Sequence, residues 1–273
     1  LNTPVKGASK REQRLMDSPQ AIEILSGDEI RAMGVLRLQD ALKLMTSVDL
    51  IESDLGYTVI GMRGVMQEGQ PRTVQILIDG VPLYQPLGGP VDINSLPVPV
   101  DMIERVEVVR GPSSSLYGAN AVVGVIAITT RKAEPGFHGG AKAAVAEKST
   151  FRSGAHFGWS EGAFGITAGY QGASFGDSDY RTHKVGSTVA TDWVVFDGAP
   201  GAGHQTDKAH QSQAFARVDW QKGDTDLWMT AGQSNKHLSP PGIPPVTYNN
   251  YRYYETNTIL AGWRQAWSSA FST

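Results

Sequence analysis

The chain has no cysteine among its 273 residues, which excludes disulfides, thiolate metal sites and cysteine nucleophiles. It also lacks any apolar run approaching the ~18 residues that a membrane-crossing helix needs. A β-barrel escapes that test, because only alternate residues of each strand face lipid, and a mean hydropathy below zero is compatible with one. Surplus charge is missing too. The 24 basic and 27 acidic side chains leave a net −3, so there is no electrostatic case for nucleic acid as a partner. Leu1 to Lys10 is polar and has no apolar core of a secretory leader; an exported protein would carry this stretch as a mature or trimmed chain. No nucleophile–base pair, phosphate-cradling loop or zinc motif is visible. The 6 histidines are scattered, and His204 and His210, the nearest two in sequence, fall in an expected loop at a spacing poor for a metal. No catalytic residue, metal or cofactor is expected, and the chain does not read as an enzyme.

What is present is glycine, 31 residues of it, in two kinds of organisation. The most informative stretch is Ile103 to Thr130. It reads as a strand over Glu104 to Val109, a tight Gly111-Pro112 turn, a small-residue bend and a β-branched strand over Val122 to Thr130. Upstream, Ser18-Pro19 opens a short strand, Ala21 to Leu25. Ser26 and Glu29 have capping-box spacing, starting a helix that runs to Met33 and ends at Gly34. A second helix, Leu38 to Met45, places Leu38, Ala41, Leu42 and Met45 on one face. Strands are expected at Thr58 to Met62 and Thr73 to Ile78. Asp79-Gly80 closes the latter as a turn, glycine supplying positive φ and Asp79 capping locally. The sum is a small mixed α/β domain ending near Arg131.

From about Gly139 onward the period changes to two. Phe151, Ala155, Phe157 and Trp159 alternate with Arg152, Gly154, His156 and Gly158. The same rhythm recurs from Phe164 to Gln171, from Gln213 to Trp220, from Leu227 to Ala231 and from Ile259 to Trp267, with Gly139 to Ala146 a weaker first member carrying Lys142 inward. That makes about six strands. Ser160 to Ala163 and Lys222 to Asp224 are tight turns, whereas Asp177 to Ala209 and His237 to Tyr254 are long, irregular connectors. Short turns on one side and long loops on the other suit an outer-membrane barrel. A soluble β-sandwich alternates as well, but has no need of aromatic residues near strand ends. Trp220, Trp263 and Trp267 fall there, as an interfacial girdle would.

The segment Ile103 to Thr130 resembles the signature of the TonB-dependent outer-membrane receptors, I-E-R-V-E-V-x-R-G-P-x-S-x-L-Y-G followed by A-x-G-G-V-I-N-I-x-T. Val123 stands where the first glycine of the pair is usual, and Ala127 where asparagine is. Val59 to Gly64 resembles the family's I-x-I-R-G strand, Ile76 to Pro82 its V-L-I-D-G-V-P strand, and Ser18 to Ile30 its entry segment.

The resemblance implies an N-terminal energy-coupling segment over residues 1–17, a plug domain over 18–132, and the first barrel strands, about six with their extracellular loops, over 133–273. The fold is then an α+β plug followed by antiparallel transmembrane strands, an incomplete portion of a plugged barrel of ~22 strands, with the remaining strands supplied by the same protein or a second chain. The implied function is TonB-dependent active transport of a scarce nutrient across the outer membrane of a Gram-negative cell, with ferric siderophore, cobalamin, haem and oligosaccharide open as substrates. Implied partners are TonB, outer-membrane lipid and a small-molecule or metal-chelate ligand. The other reading is a passive ligand-binding or adhesion module without transport. By resemblance, Arg63 and Arg110 face carboxylates on the barrel wall. Met66, Gln67, Tyr84, Gln85 and Leu87 lie at outward plug apices and contact substrate, joined by Tyr251 and Tyr253 of an aromatic outer loop. Thr3 and Val5 fall where the TonB box is expected, although Pro4, lacking a donor, weakens strand pairing there.

Overall fold

The computed structural model describes residues 4–5, 13–14, 18, 20–35, 37–52, 58–65, 73–83, 93–118, 120–146, 150–175, 179–184, 194–196, 203–206, 209–238, 252–268 and 271–272. The N-terminal half opens with β1 (Pro4–Val5) and β2 (Gln13–Arg14), which pair with each other. β3 (Ala21–Ser26) leads into α1 (Gly27–Ala32). The junction is the expected capping box: the Glu29 amide donates to the Ser26 hydroxyl at 3.2 Å, and the Ser26 amide donates to the Glu29 carboxylate at 2.8 Å. The helix stops at Gly34, whose φ of +66° suits glycine. α2 (Leu38–Leu42) is three residues shorter than the sequence suggests, its last turn loosening over Lys43 and Leu44. The expected apolar face still holds, since Leu38, Ala41, Leu42 and Met45 are all buried.

β4 (Asp49–Glu52) and β5 (Thr58–Gly61) form an antiparallel pair. The Asp-Leu-Ile-Glu run of β4 has no clear alternation, which hid it in the sequence. β6 (Val74–Ile78), β7 (Val81–Pro82), β8 (Ile103–Arg110) and β9 (Gly124–Thr130) complete the domain, with a one-turn helix α3 (Ser114–Tyr117) between the last two. Together with β3 they make a five-stranded sheet in the order β3-β8-β9-β6-β7. Only β6 and β9 run parallel, so the intervening chain has to cross over. The buried core lies between this sheet and α1, α2 and the segment 93–102. Ile30, Leu42, Met62, Val106, Val108 and Ile126 are each 0% exposed; truncating one of the isoleucines to alanine costs about 2–5 kcal/mol.

The second half is built on one long antiparallel sheet. β10 (Gly136–Ala146), β11 (Thr150–Glu161) and β12 (Phe164–Phe175) follow in order. The long connector after β12 holds β13 (Asp179–Lys184), β14 (Val194–Phe196) and β15 (Gly203–Thr206), a separate three-stranded sheet where the sequence suggested an irregular loop. β16 (Ala209–Lys222), β17 (Thr225–Leu238), β18 (Arg252–Ser268) and the short β19 (Phe271–Ser272) extend the main sheet to seven strands. All six expected strands are there, each longer than its alternating core. Gly162 and Gly223, at φ +58° and +57°, make the two tight turns.

One face of this sheet is apolar and open. Phe151, Phe157, Tyr170, Met229, Ile259 and Trp263 are all exposed on it. Phe164, Trp220, Leu227 and Trp263 stand in register close to the tight turns, an aromatic-rich row of the kind that marks a membrane interface. The opposite face carries Arg152, Thr167, Gln171, Gln211, Gln213, Arg217 and Thr230, all buried against the N-terminal domain.

Candidate functional site

The site with the most chemistry is where the α/β domain meets this polar face. The segment 93–102, two 3-10 turns around a Leu-Pro-Val-Pro stretch, lies between the two and is buried throughout. Prolines remove two amide donors from this stretch, and its carbonyls are taken by side chains of β16. The Gln211 side-chain amide donates to the Asn94 carbonyl, and that of Gln213 donates to the Leu96 carbonyl at 2.6 Å. Behind them, Asn94 belongs to a buried triad in which its amide nitrogen donates to Gln39 and, at 2.7 Å, to Thr58. Glycine on the wall makes the approach possible: a Cβ at Gly232 would lie 2.4 Å from the Pro97 carbonyl oxygen, and one at Gly169 would lie 2.5 Å from the Met102 sulfur.

Two charge clusters fix the seat. At the first, Arg217 of β16 reaches Asp79 at 2.9 Å and the Thr130 hydroxyl at 2.9 Å, while its other edge grips Asp219 by two bonds of 2.7 Å. The Trp228 ring lies 5.4 Å from the guanidinium centre, in cation–π range. Asp79 itself has φ +50° and also accepts from the Thr130 amide at 2.9 Å. Its carboxylate is therefore no local cap, as the turn signal suggested, but the anchor of the β6–β7 turn to β9 and to the wall. At the second cluster, Asp101 pairs with Lys142 of β10 and lies 3.9 Å from Arg152 of β11. Arg152 also donates to the Val35 carbonyl at 2.8 Å and to Gln171 at 3.1 Å. Such pairs stabilise little relative to an apolar isostere, but removing one partner strands a buried charge.

The sequence expected two plug cations, Arg63 and Arg110, to face carboxylates on the wall. Arg63 lies at the exposed Met62–Val65 turn, with φ +56° and its guanidinium near Gly111. Arg110 ends β8, and its Nε is buried without a hydrogen-bond partner. Among the described residues neither makes an ion pair; across the seat Arg217 and Lys142 of the wall meet plug carboxylates, and Lys132 lies 3.9 Å from Asp219 of β16. The inward phase of the alternation already held Lys142, Arg152, Arg217 and Asp219; what it lacked was their partners, which only the folded domain brings near. Met66, Gln67, Tyr84, Gln85, Leu87, Tyr251 and Thr3 lie outside the described residues. Tyr253 is opposite His237 in the β17–β18 register, and Val5 is opposite Gln13. The site brings none of these together.

Comparison with known proteins fits this geometry. The family model for the TonB-dependent receptor plug domain matches residues 14–125. The vitamin B12 transporter of Vibrio vulnificus is 33% identical over 135 residues, 49% of this chain and 21% of the transporter. The hemin receptor of Yersinia pestis is 30% identical over 182 residues, 65% of this chain and 26% of the receptor. A mutant ferric enterobactin receptor from Pseudomonas aeruginosa, solved with enterobactin, superposes with a TM-score of 0.66 at 21% identity, covering 90% of this chain and 39% of that one. The chain thus spans well under half of these proteins. Domain and fold agree with what the residues show: residues 14–125 match the TonB-dependent receptor plug domain, and the strands from β10 onward superpose on part of the barrel of such outer-membrane receptors.

Proposed function

We propose that the protein carrying this chain imports a scarce nutrient, a siderophore, cobalamin or a similar compound, across the outer membrane with energy delivered by TonB. The observation that carries this reading is the seat itself. A folded domain is held against the polar face of strands whose other face is apolar, by charged and hydrogen-bonded contacts with Phe215 of β16 as an apolar contact among them. A seat built largely of polar contacts can be released and remade in water while exposing little apolar surface, which is what a movable stopper requires. Residues 1–17 act as the coupling segment, 18–132 as the plug and 133–273 as barrel strands, with the remaining strands of the ~22 coming from the rest of the protein or a second chain.

In this reading the apices 64–70 and 84–90, through Met66, Gln67, Tyr84, Gln85 and Leu87, meet the ligand together with Tyr251 and Tyr253. Thr3 and Val5 meet TonB by strand addition; because Val5 pairs with Gln13, that addition exchanges one partner strand for another. Arg63 and Arg110 contact parts of the wall beyond the strands of this chain. No covalent chemistry is performed, and outer-membrane lipid surrounds the apolar face. The test is uptake of labelled ferric siderophore, cobalamin or haem by cells whose only such receptor is this one. Accumulation of one compound that stops when TonB is deleted, while surface binding persists, supports transport. Binding without accumulation in either background would make the protein the passive capture module instead.

A further inference from the structure

His210 and His237 lie 27 positions apart in the chain, yet the antiparallel register of β16 and β17 sets them directly opposite each other. Both fall in the strand phase of Ala216 and Ala231, on the face turned away from the plug. Their ring centroids are 6.5 Å apart and their planes differ by 16°. His210 is exposed and His237 half-buried. Counted from Trp220, in the row close to the tight turns, His210 stands ten positions along β16. At ~3.3 Å per residue and a tilt of ~45° that is a height of roughly 23 Å, nearly the whole of an apolar band ~25 Å tall. The pair therefore stands at the outer rim, where water reaches it, and not in hydrocarbon.

We infer that His210 and His237 chelate one divalent ion of the zinc and copper class, which fastens the outer ends of β16 and β17. Neighbouring imidazoles offer two nitrogen lone pairs, the donors that these metals favour. Rings sharing one tetrahedral ion at ~2.1 Å have centroids about 5.3 Å apart, so the pair closes by roughly 1 Å as the exposed His210 ring turns its nitrogen edge inward. Around them stand Ser153, Ser174, Ser212 and Asn235, and among the described residues no lysine or arginine lines this cleft, so no fixed positive charge opposes a cation. Glu255, one row below in register with Asn235, is turned to Asn257 at 2.9 Å and Gln233 at 3.3 Å. Among the described residues no third imidazole or carboxylate converges on the pair, and water completes the shell. The two strands share a turn at Gly223 at their inner end, whereas their outer ends lead into the long connectors. An ion at the histidines joins them where the chain does not. The inference rests on the register of these strands and is independent of transport.

The intact receptor carrying this chain, purified in detergent and stripped of metal with a chelator, is titrated with Cu2+ and separately with Zn2+. It is expected to bind one more Cu2+ than the double variant His210→Gln with His237→Gln, with a paramagnetic resonance spectrum showing two nitrogen ligands. Either single change weakens binding at least about tenfold, because each imidazole loses the effective concentration of its neighbour. His138→Gln and His156→Gln, in the lumen-facing phase of β10 and β11 with Lys142 and Arg152, leave binding unchanged. Without metal the double variant unfolds at the same temperature as the unvaried receptor. Zn2+ at about ten times its dissociation constant slows amide exchange at the outer ends of β16 and β17 about tenfold, in the unvaried receptor alone. Mg2+ at the same concentration does not. Equal Cu2+ binding by the unvaried receptor and the double variant, a spectrum with one nitrogen, or equal protection by Mg2+ overturns the site. Binding without slower exchange overturns the fastening.

Discussion

Arg217 on the barrel wall and Asp79 on the plug meet at 2.9 Å with side chains only 3% and 6% exposed. The pair is lopsided, because Arg217 has a second carboxylate in Asp219 while Asp79 has no second cation among the described residues. Arg217→Met leaves the buried Asp79 carboxylate with no cation beside it among the described residues and should destabilise the seat by about 3–5 kcal/mol. Asp79→Asn keeps Arg217 charge-paired with Asp219 and should cost about 1–2 kcal/mol. Denaturant unfolding of the intact receptor ranks the two, and cells bearing Arg217→Met should admit large antibiotics more readily. Equal costs, or the reverse order, would show that the anchor lies elsewhere.

The close approach at Gly232 is a second dependence on one residue. A methyl group there would sit 2.4 Å from the Pro97 carbonyl oxygen and 2.9 Å from the Pro97 Cβ, both on a segment pinned by Gln213 and Gln211. Gly232→Ala should therefore cost about 1–3 kcal/mol through displaced backbone. At Gly140 the nearest atom is the edge of the His156 ring at 3.1 Å, which can turn away, so Gly140→Ala should lie within ~0.5 kcal/mol of the unvaried protein. The same unfolding measurement separates them.

How much of this could be read in advance differs by level. Strands, turns and the capping box are local, and residues such as Ser26, Glu29, Gly162 and Gly223 announce them. The lumen-facing phase of β11 and β16 was equally legible, because a period of two puts Arg152 and Arg217 on the same side as glycine and glutamine. The partners were not. Asp79 looked like a turn residue because its tertiary role depends on a strand 138 positions away along the chain, and nothing local distinguishes a carboxylate that caps from one that anchors. The segment 93–102 gave no periodicity at all, since prolines and 3-10 turns impose none, yet it forms the middle of the seat.

Glu29 offers a pH-dependent handle on the plug. The Ser26 hydroxyl and then the Ser26 amide bond its carboxylate and hold its pKa below the ordinary carboxylate value. A lowered folded-state pKa means that the cap contributes fully above the unfolded value of 4.5 and is lost as pH falls through the folded one. Amide exchange across α1 in the intact receptor, corrected for intrinsic rates, should lose about threefold to fivefold in protection between pH 6 and roughly pH 3. Glu29→Gln should flatten that pH dependence while keeping the helix. A variant that retains the full pH response would assign it to another carboxylate.

Whether the segment 93–102 leaves the wall during uptake can be asked with a crosslink, to which these 273 residues contribute no native cysteine. A Cβ at position 169 lies 2.7 Å from the Met102 Cγ, the place a cysteine sulfur would take, close to what a disulfide requires. The double change Gly169→Cys with Met102→Cys should crosslink under mild oxidation in most molecules. If passage requires the plug to swing off β12, the oxidised receptor should bind ligand normally yet import it at least about tenfold more slowly, a barrier rise of ~1.4 kcal/mol or more, with recovery on reduction. The single-cysteine variants control for the Gly169 substitution itself. Undiminished uptake through the crosslinked receptor would mean that this half of the seat stays closed and that the path opens on the far side of the plug, along strands that pair with neither Lys142 nor Arg217.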